Sequence, residues 1–125
     1  MRLLLDTNAL LWMATGHERI TPVMDMLVDP AHDVYVSAVS WWEIAIKNRI
    51  GKLDVVLPDL RNGALENGFL ELPLYADTAE VLRSLPEYHK DPFDHMLIAQ
   101  AISESMYIIT GDNIFAKYTD LAIVI

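Results

Sequence analysis

Five short apolar runs alternate along this chain with stretches whose apolar residues recur at helical spacing. The runs are Arg2-Leu3-Leu4-Leu5, Val34-Tyr35-Val36, Phe69-Leu70-Glu71-Leu72, Met106-Tyr107-Ile108-Ile109-Thr110 and Ala122-Ile123-Val124-Ile125. A strand that is followed by a helix is returned to the edge from which it started, so its successor runs in the same direction. The alternation therefore predicts an α/β protein with a central parallel sheet and helices on both faces. Leu3-Leu4-Leu5 is apolar throughout, as a strand covered on both faces must be.

Helices are predicted in the intervals. One opens at Asn8 and stops near Gly16. A second starts from Thr21 as cap with Pro22 at its first position and reaches Asp29-Pro30. A third runs from Ser37 or Ser40 to Gly51, and Leu53 to Leu57 follows as an extended arm. Leu60–Glu66 is a weak helix, Ala76–Leu85 another. Asp91-Pro92 opens the clearest one, with Phe93, Met96, Leu97, Ile98, Ala101 and Ile102 on its apolar side. Asp112 to Tyr118 holds the last. No repeat or linker interrupts the 125 residues, which read as a single domain over 1–125.

Composition removes several classes of function. There is no cysteine, hence no thiol nucleophile, disulfide framework or iron-sulfur centre, and a reducing compartment is expected. A net charge of −9 opposes passive coating of nucleic acid, which needs clustered Lys and Arg. No apolar run approaches the roughly 20 residues that span a bilayer. Met1-Arg2 leads directly into the first strand, so a cytoplasmic protein without membrane attachment is expected. No G-x-S-x-G elbow, Gly-rich phosphate loop or paired histidine spacing is present.

What remains is a set of acids at strand ends. Ligands of open α/β sheets sit beyond the carboxyl ends of the strands, where the chain reverses its winding. Asp6 ends the first strand and Asp112 follows the fourth. Glu43 lies in the helix after the second strand, Asp94 in the helix before the fourth. If the first and fourth strands are neighbours, these four acids converge, and clustered carboxylates either take up protons or bind a hard cation such as Mg²⁺. Each acid also has an ordinary structural use. Asp91 with Pro92 forms an N-cap, and Asp94 stands where a capping partner would. Ser40-Trp41-Trp42-Glu43 spells a capping box, and Lys47 is an i+4 ion-pair partner for Glu43. Asp112 suits a turn. Asp6 is the hardest to place structurally, because an unpaired buried carboxylate costs several kcal/mol. Lys47, Arg49 and Lys52 form the densest basic group, either a solvated helix face or an RNA-backbone contact. Trp12, Trp41 and Trp42 suit packing better than base stacking.

Leu3-Leu4-Leu5-Asp6-Thr7-Asn8-Ala9-Leu10, Ser40-Trp41-Trp42-Glu43-Ile44-Ala45-Ile46-Lys47, Asp91-Pro92-Phe93-Asp94-His95-Met96-Leu97-Ile98-Ala99-Gln100-Ala101 and Ile109-Thr110-Gly111-Asp112 resemble, in order, the four acidic motifs of PIN-domain nucleases. The closest likeness is to VapC-type toxins of toxin-antitoxin pairs. The resemblance implies a three-layer α/β/α fold and a ribonuclease dependent on one or two Mg²⁺ or Mn²⁺ ions. It assigns the catalytic and metal-binding acids to Asp6, Glu43, Asp94 and Asp112, with Asp91 as an additional candidate and Thr7, Asn8 and Thr110 as supporting neighbours. His95 departs from the basic residue common after D-P-F-D. Homodimerisation and a small antitoxin partner are also implied, and Trp12, Met13, Met24 and Met26 read as an apolar surplus suited to them. Two other functions compete: a receiver-like Mg²⁺-binding phosphoacceptor, which the absence of an acidic pair at Asp6 opposes, and a catalytically silent PIN-like binding module.

Overall fold

The computed structural model describes all 125 residues. In chain order it contains β1 (Arg2–Leu5), α1 (Thr7–Thr15), α2 (Met24–Val28), β2 (Asp33–Ser37), α3 (Ala38–Arg49), α4 (Leu57–Glu66), β3 (Leu70–Leu72), α5 (Thr78–Ser84), α6 (Pro92–Ser103), β4 (Tyr107–Thr110) and β5 (Ala122–Val124). Short 3₁₀ turns occupy Glu18–Val23 and Asn113–Lys117. The strands pair in the order β3-β2-β1-β4-β5, every pair parallel.

The three leucines of β1 explain its central place. Leu3 and Leu5 point into one apolar cluster with Ala9, Leu10, Val34, Val36 and Ile44. Leu4 points the other way, among Leu97, Ile98, Ala101, Met106, Ile108 and Phe115. Period-two alternation of an all-apolar strand thus feeds two cores, one on each side of the sheet, and the fold is a three-layer α/β/α sandwich. From β1 the chain winds outward through β2 and β3, then crosses back to place β4 on the opposite side of β1. That reversal opens a crevice beyond the carboxyl ends of β1 and β4.

Local departures from the sequence expectations have identifiable causes. α1 is capped by Asp6, whose carboxylate accepts from the Ala9 amide at 2.8 Å, so the helix begins at Thr7 rather than at Asn8. Thr21-Pro22 does not start a helix. Ile20 and Val23 are both buried, and their separation of three residues matches the 3₁₀ repeat, so Pro22 lies inside a tighter turn that His17 caps through the Arg19 amide. α2 is correspondingly short. Ser37, not Ser40, caps α3, accepting from the Val39 amide at 3.0 Å. Ser40 and Glu43 therefore lie inside the helix, and the capping-box reading of Ser40 fails. Gly51 follows α3 with φ of 76°, the left-handed conformation expected of it. The Leu53 to Leu57 segment is partly irregular, its Leu53 and Val55 carbonyls held by the Asn48 side chain at 2.9 Å each, and α4 starts at Leu57 with Pro58 in its first turn.

The four side chains read as an apolar surplus are largely spoken for. Trp12, Met13, Met24 and Met26 are partly buried against the first core cluster, and Trp12 stacks on His17 and under the Arg19 guanidinium.

Candidate metal centre

β1 and β4 pair with Leu5 opposite Ile109, so the next residues, Asp6 and Thr110, stand side by side where the two strands leave the core. The Asp6 amide continues the ladder, donating to the Ile109 carbonyl at 2.9 Å. Only 4% of Asp6 is exposed. Burial pushes its carboxyl up to about 6; the Thr110 hydroxyl and the Ala9 amide pull it down, while the Glu43 and Asp112 charges push it further up. Asp6 is thus both a helix cap and a carboxyl held in the field of two other acids.

Glu43 comes from the second turn of α3, 5% exposed. Its Oε2 accepts from Lys47 Nζ at 2.6 Å, and its Oε1 is buried without any partner. A buried carboxylate oxygen with no donor is costly, and it is the kind of atom that a hard cation completes. Lys47 is held protonated, its pKa raised first by the Glu43 hydrogen bond and further by the Asp91 and Asp94 charges. The basic group therefore divides. Lys47 belongs to the acidic cleft, whereas Arg49 and Lys52 are exposed at and beyond the end of α3.

Asp91 and Asp94 open α6. Asp91 Oδ1 accepts from the Phe93 amide at 2.9 Å and the Asp94 amide at 3.1 Å, the N-cap expected of it. Asp94 is directed instead toward the cleft. Its carboxyl is pushed up to about 7, first by desolvation and next by the Asp91 charge; the hydrogen bond from His89 opposes that, and Asp6 adds to it. Asp112 lies on the exposed rim of the cleft and caps the 3₁₀ turn through the Ile114 amide at 3.0 Å, so its turn role is real as well. Ligand atoms of Asp94, Asp112 and His89 all lie within 4.8 Å of one another. Asp6 and Glu43 are outside that group but sense one another electrostatically, and Asp6 is linked in the same way to Asp94 and Asp112.

The supporting residues separate in the same way. Thr7 donates its hydroxyl to Ser40 Oγ at 3.1 Å, tying α1 to α3 behind the acids. Thr110 Oγ1 accepts from the Asp112 amide at 3.0 Å and so shapes the turn that carries this acid. Asn8 is exposed at the first turn of α1. Trp42, 57% exposed, stands edge-on to Phe93 beside Glu43. His95, the unusual residue of the third motif, is half-buried, with Nε2 2.7 Å from the His89 carbonyl.

Sequence reasoning missed His89, Tyr118 and Gln100. Gln100 is buried in α6, accepting from the Ser37 hydroxyl and donating to the Pro73 carbonyl at 3.2 Å, which locks the helix bearing Asp94 to the end of β2. Its signal was a lone amide within an apolar helical stripe. His89 lies in a loop, five residues before Asp94, where no helical or strand period could have pointed it at the acids.

Carboxylates at the switch point of a parallel α/β sheet, one of them with an orphaned buried oxygen, suit Mg²⁺ or Mn²⁺. Residues 3–121 match the family model of the PIN domain, and the chain belongs to that family. It is similar to Ribonuclease VapC22 of Mycobacterium tuberculosis, 23% identical over 112 residues, which make up 88% of this chain and 86% of that protein. Among solved structures, it is similar to a chain in the crystal structure of VapBC2 from Rickettsia felis bound to a promoter DNA fragment. That likeness has a TM-score of 0.76 and 14% identity, covering 100% of this chain and 98% of the other. A chain of FitAcB from Neisseria gonorrhoeae gives a TM-score of 0.65 and 23% identity, with 98% and 96% covered. A chain of a toxin-antitoxin complex from Klebsiella pneumoniae gives 0.68 and 18%, with the same coverage.

Proposed function

We propose that this PIN-domain protein is a divalent-cation-dependent endoribonuclease and the toxin of a toxin-antitoxin pair. What supports the reading is buried Asp6 at the β1/β4 crevice, which senses the charges of Glu43, Asp94 and Asp112, together with the unpartnered oxygen of buried Glu43. Asp6, Glu43, Asp94 and Asp112 would hold one or two Mg²⁺ or Mn²⁺ ions. Bound there, such an ion supplies positive charge at a scissile phosphate and lowers the pKa of a water.

The chain's own contributions follow from its hydrogen bonds. Lys47 grips Glu43 Oε2 and leaves the buried Oε1 free of any hydrogen-bond partner. The α1 cap fixes Asp6 through Ala9, and the α6 cap occupies one oxygen of Asp91, which makes Asp91 a structural residue first. Trp42, the residue before Glu43, is largely exposed and edge-on to the core-packed Phe93, which leaves its indole available to an unpaired base. Arg49, at the end of α3, and Lys52, just beyond it, form an exposed positive edge suited to an RNA backbone. In-line attack by water opposite the 3′ oxygen, with the P–O3′ bond breaking and the 3′ oxygen leaving, would give 5′-phosphate and 3′-hydroxyl ends.

The toxin reading is supported by the ribonuclease relative and by the toxin-antitoxin complexes among similar structures. It brings with it an antitoxin partner, homodimer formation and a cytoplasmic location; no helix is long and apolar enough to cross a membrane. The PIN family assignment displaces the receiver-like alternative. The test is cleavage of a mixed-sequence RNA with Mg²⁺ or Mn²⁺, then with excess EDTA. Metal-dependent cleavage with 5′-phosphate products supports the reading. Cleavage sustained in EDTA, or 2′,3′-cyclic phosphate ends, overturns the mechanism, and metal binding without cleavage identifies a silent binding module.

A further inference from the structure

The loop between α5 and α6 brings His89 against Asp94, with Nε2 3.2 Å from Oδ2. On the other side of the ring, Nδ1 is 2.9 Å from the Tyr118 hydroxyl. That hydroxyl already accepts twice, from the Tyr88 amide at 2.9 Å and the His89 amide at 3.2 Å. Two donated hydrogens fill both lone pairs of a phenolic oxygen, leaving it one hydrogen to give. His95 Nε2 cannot take that hydrogen, because it donates its own to the His89 carbonyl at 2.7 Å. The phenolic hydrogen therefore goes to His89 Nδ1. With Nδ1 an acceptor, the neutral ring carries its proton on Nε2, facing the Asp94 carboxylate. The ring is clamped in this orientation edge-on to His95, at 4.8 Å, and tilted against Tyr118 and Phe115.

We propose that His89 is a positioning residue for Asp94: its Nε2–H, set by Tyr118, occupies Oδ2 and leaves Oδ1 to face a divalent cation. The role rests on the metal-centre reading of Asp94 given above and adds the device that orients that ligand. It also means that His89, although near Asp94 and Asp112, is not itself a ligand. Nitrogen ligation through Nε2 would require the proton on Nδ1, pointed at the hydrogen that Tyr118 donates. Groups that hold a ligating carboxylate from behind typically change metal affinity by roughly 10- to 100-fold when removed.

The experiment has two arms on the full-length chain. Two-bond ¹H–¹⁵N correlation of the metal-free protein, with the His89 signals assigned by their loss in His89→Gln, should show a protonated Nε2 and a bare Nδ1. Mn²⁺ binding, followed by electron paramagnetic resonance, should weaken by about 10-fold or more in His89→Ala and less in Tyr118→Phe. His89→Gln, whose amide reaches the Nε2 position with a donor, should recover much of the loss. Thermal melts check that each variant is folded. A protonated Nδ1, or parent-like Mn²⁺ affinity in a folded His89→Ala, overturns the proposal, as does a Gln variant no better than Ala. A parent that binds no Mn²⁺ overturns the metal centre itself, and this role with it.

Discussion

Asp91 and Asp94 are separated by one turn of helix and perform different work. Asp91 Oδ1 takes two amide hydrogens, so its energetic weight is that of an N-cap. Asn caps comparably, and Asp91→Asn should melt within a few tenths of a kcal/mol of the parent, whereas Asp91→Ala should lose about 1 kcal/mol in denaturant unfolding. Asp94 accepts no amide hydrogen; its carboxyl is desolvated and repelled by Asp91 and Asp6. Asp94→Asn should abolish RNA cleavage in single-turnover assays while leaving metal-free stability unchanged or slightly raised. A clear loss of stability together with near-parent cleavage would make Asp94 a structural residue. Asp6→Asn keeps a capping side chain and removes a buried charge, so it should stabilise the metal-free protein by roughly 1–3 kcal/mol, judged from the size of its pKa shift. These acids could be read in the sequence because each follows a strand or opens a helix, places where a carboxylate is visible against apolar surroundings. Their second duties as caps were legible only for Asp91, where Pro92 marks the helix start. Nothing local marks Asp6 as a cap, since Thr7 and Asn8 are equally good capping types.

At the level of elements, α3 shows why a sequence signature needs its register checked against packing. Ser40 and Glu43 have capping-box spacing, but starting the helix at Ser40 would unwind Ala38 and Val39, and Val39 is buried in the second core cluster. Packing moves the start to Ser37. Ser37 Oγ accepts from Val39 and donates to Gln100, so Ser37→Ala removes a cap and strands a buried amide oxygen, at a cost of about 2 kcal/mol. Ser40→Ala removes only the acceptor of Thr7 and should cost about 1 kcal/mol. Urea unfolding of the two variants decides the matter: if Ser40→Ala were the more damaging, the helix would start at Ser40 after all. The turn after β4 has a constraint of another kind. Gly111 has no left-handed backbone, yet a Cβ there would overlap the Trp12 ring and the Arg19 guanidinium. Gly111→Ala should therefore destabilise by about 1–3 kcal/mol through overpacking. Because Asp112 rides on the same turn, the change should also weaken Mn²⁺ binding, measured by titration. Sequence showed a Gly in a turn and gave no sign that a ring from α1 lies over it, because that contact spans most of the chain.

For the molecule as a whole, alternating strands and helices sufficed to predict a parallel, covered sheet, but the strand order was written only conditionally. Whether β1 and β4 are neighbours depends on how the crossover from β3 through α5 and α6 returns, which no local pattern of apolar residues encodes. Once β4 lies beside β1, Asp6 and Asp94 share a low-dielectric crevice in a chain of net charge −9, and their ionisation becomes a property of the fold. Both carboxyls are raised, to about 6 and about 7, above the ordinary aspartate value of 3.8. In the folded chain they keep protons that the unfolded chain has released, so the stability these two groups contribute is fully present below about pH 4 and is lost as pH rises through about 6 to 7. A divalent cation competes for the same oxygens and favours their ionised form. Its stabilising effect, set by its concentration relative to its dissociation constant, should grow over the same window in which the metal-free protein weakens. Melting the parent and Asp94→Asn at about pH 5 and about pH 8, with and without Mg²⁺, isolates this coupling, because changes elsewhere in the chain cancel in the comparison. The parent should lose stability relative to the variant as pH rises without Mg²⁺, and regain it when Mg²⁺ is added at the higher pH. An Mg²⁺ effect of equal size at both pH values, or the same in parent and variant, would mean that the cation binds elsewhere on this acidic surface and not between the ends of β1 and β4.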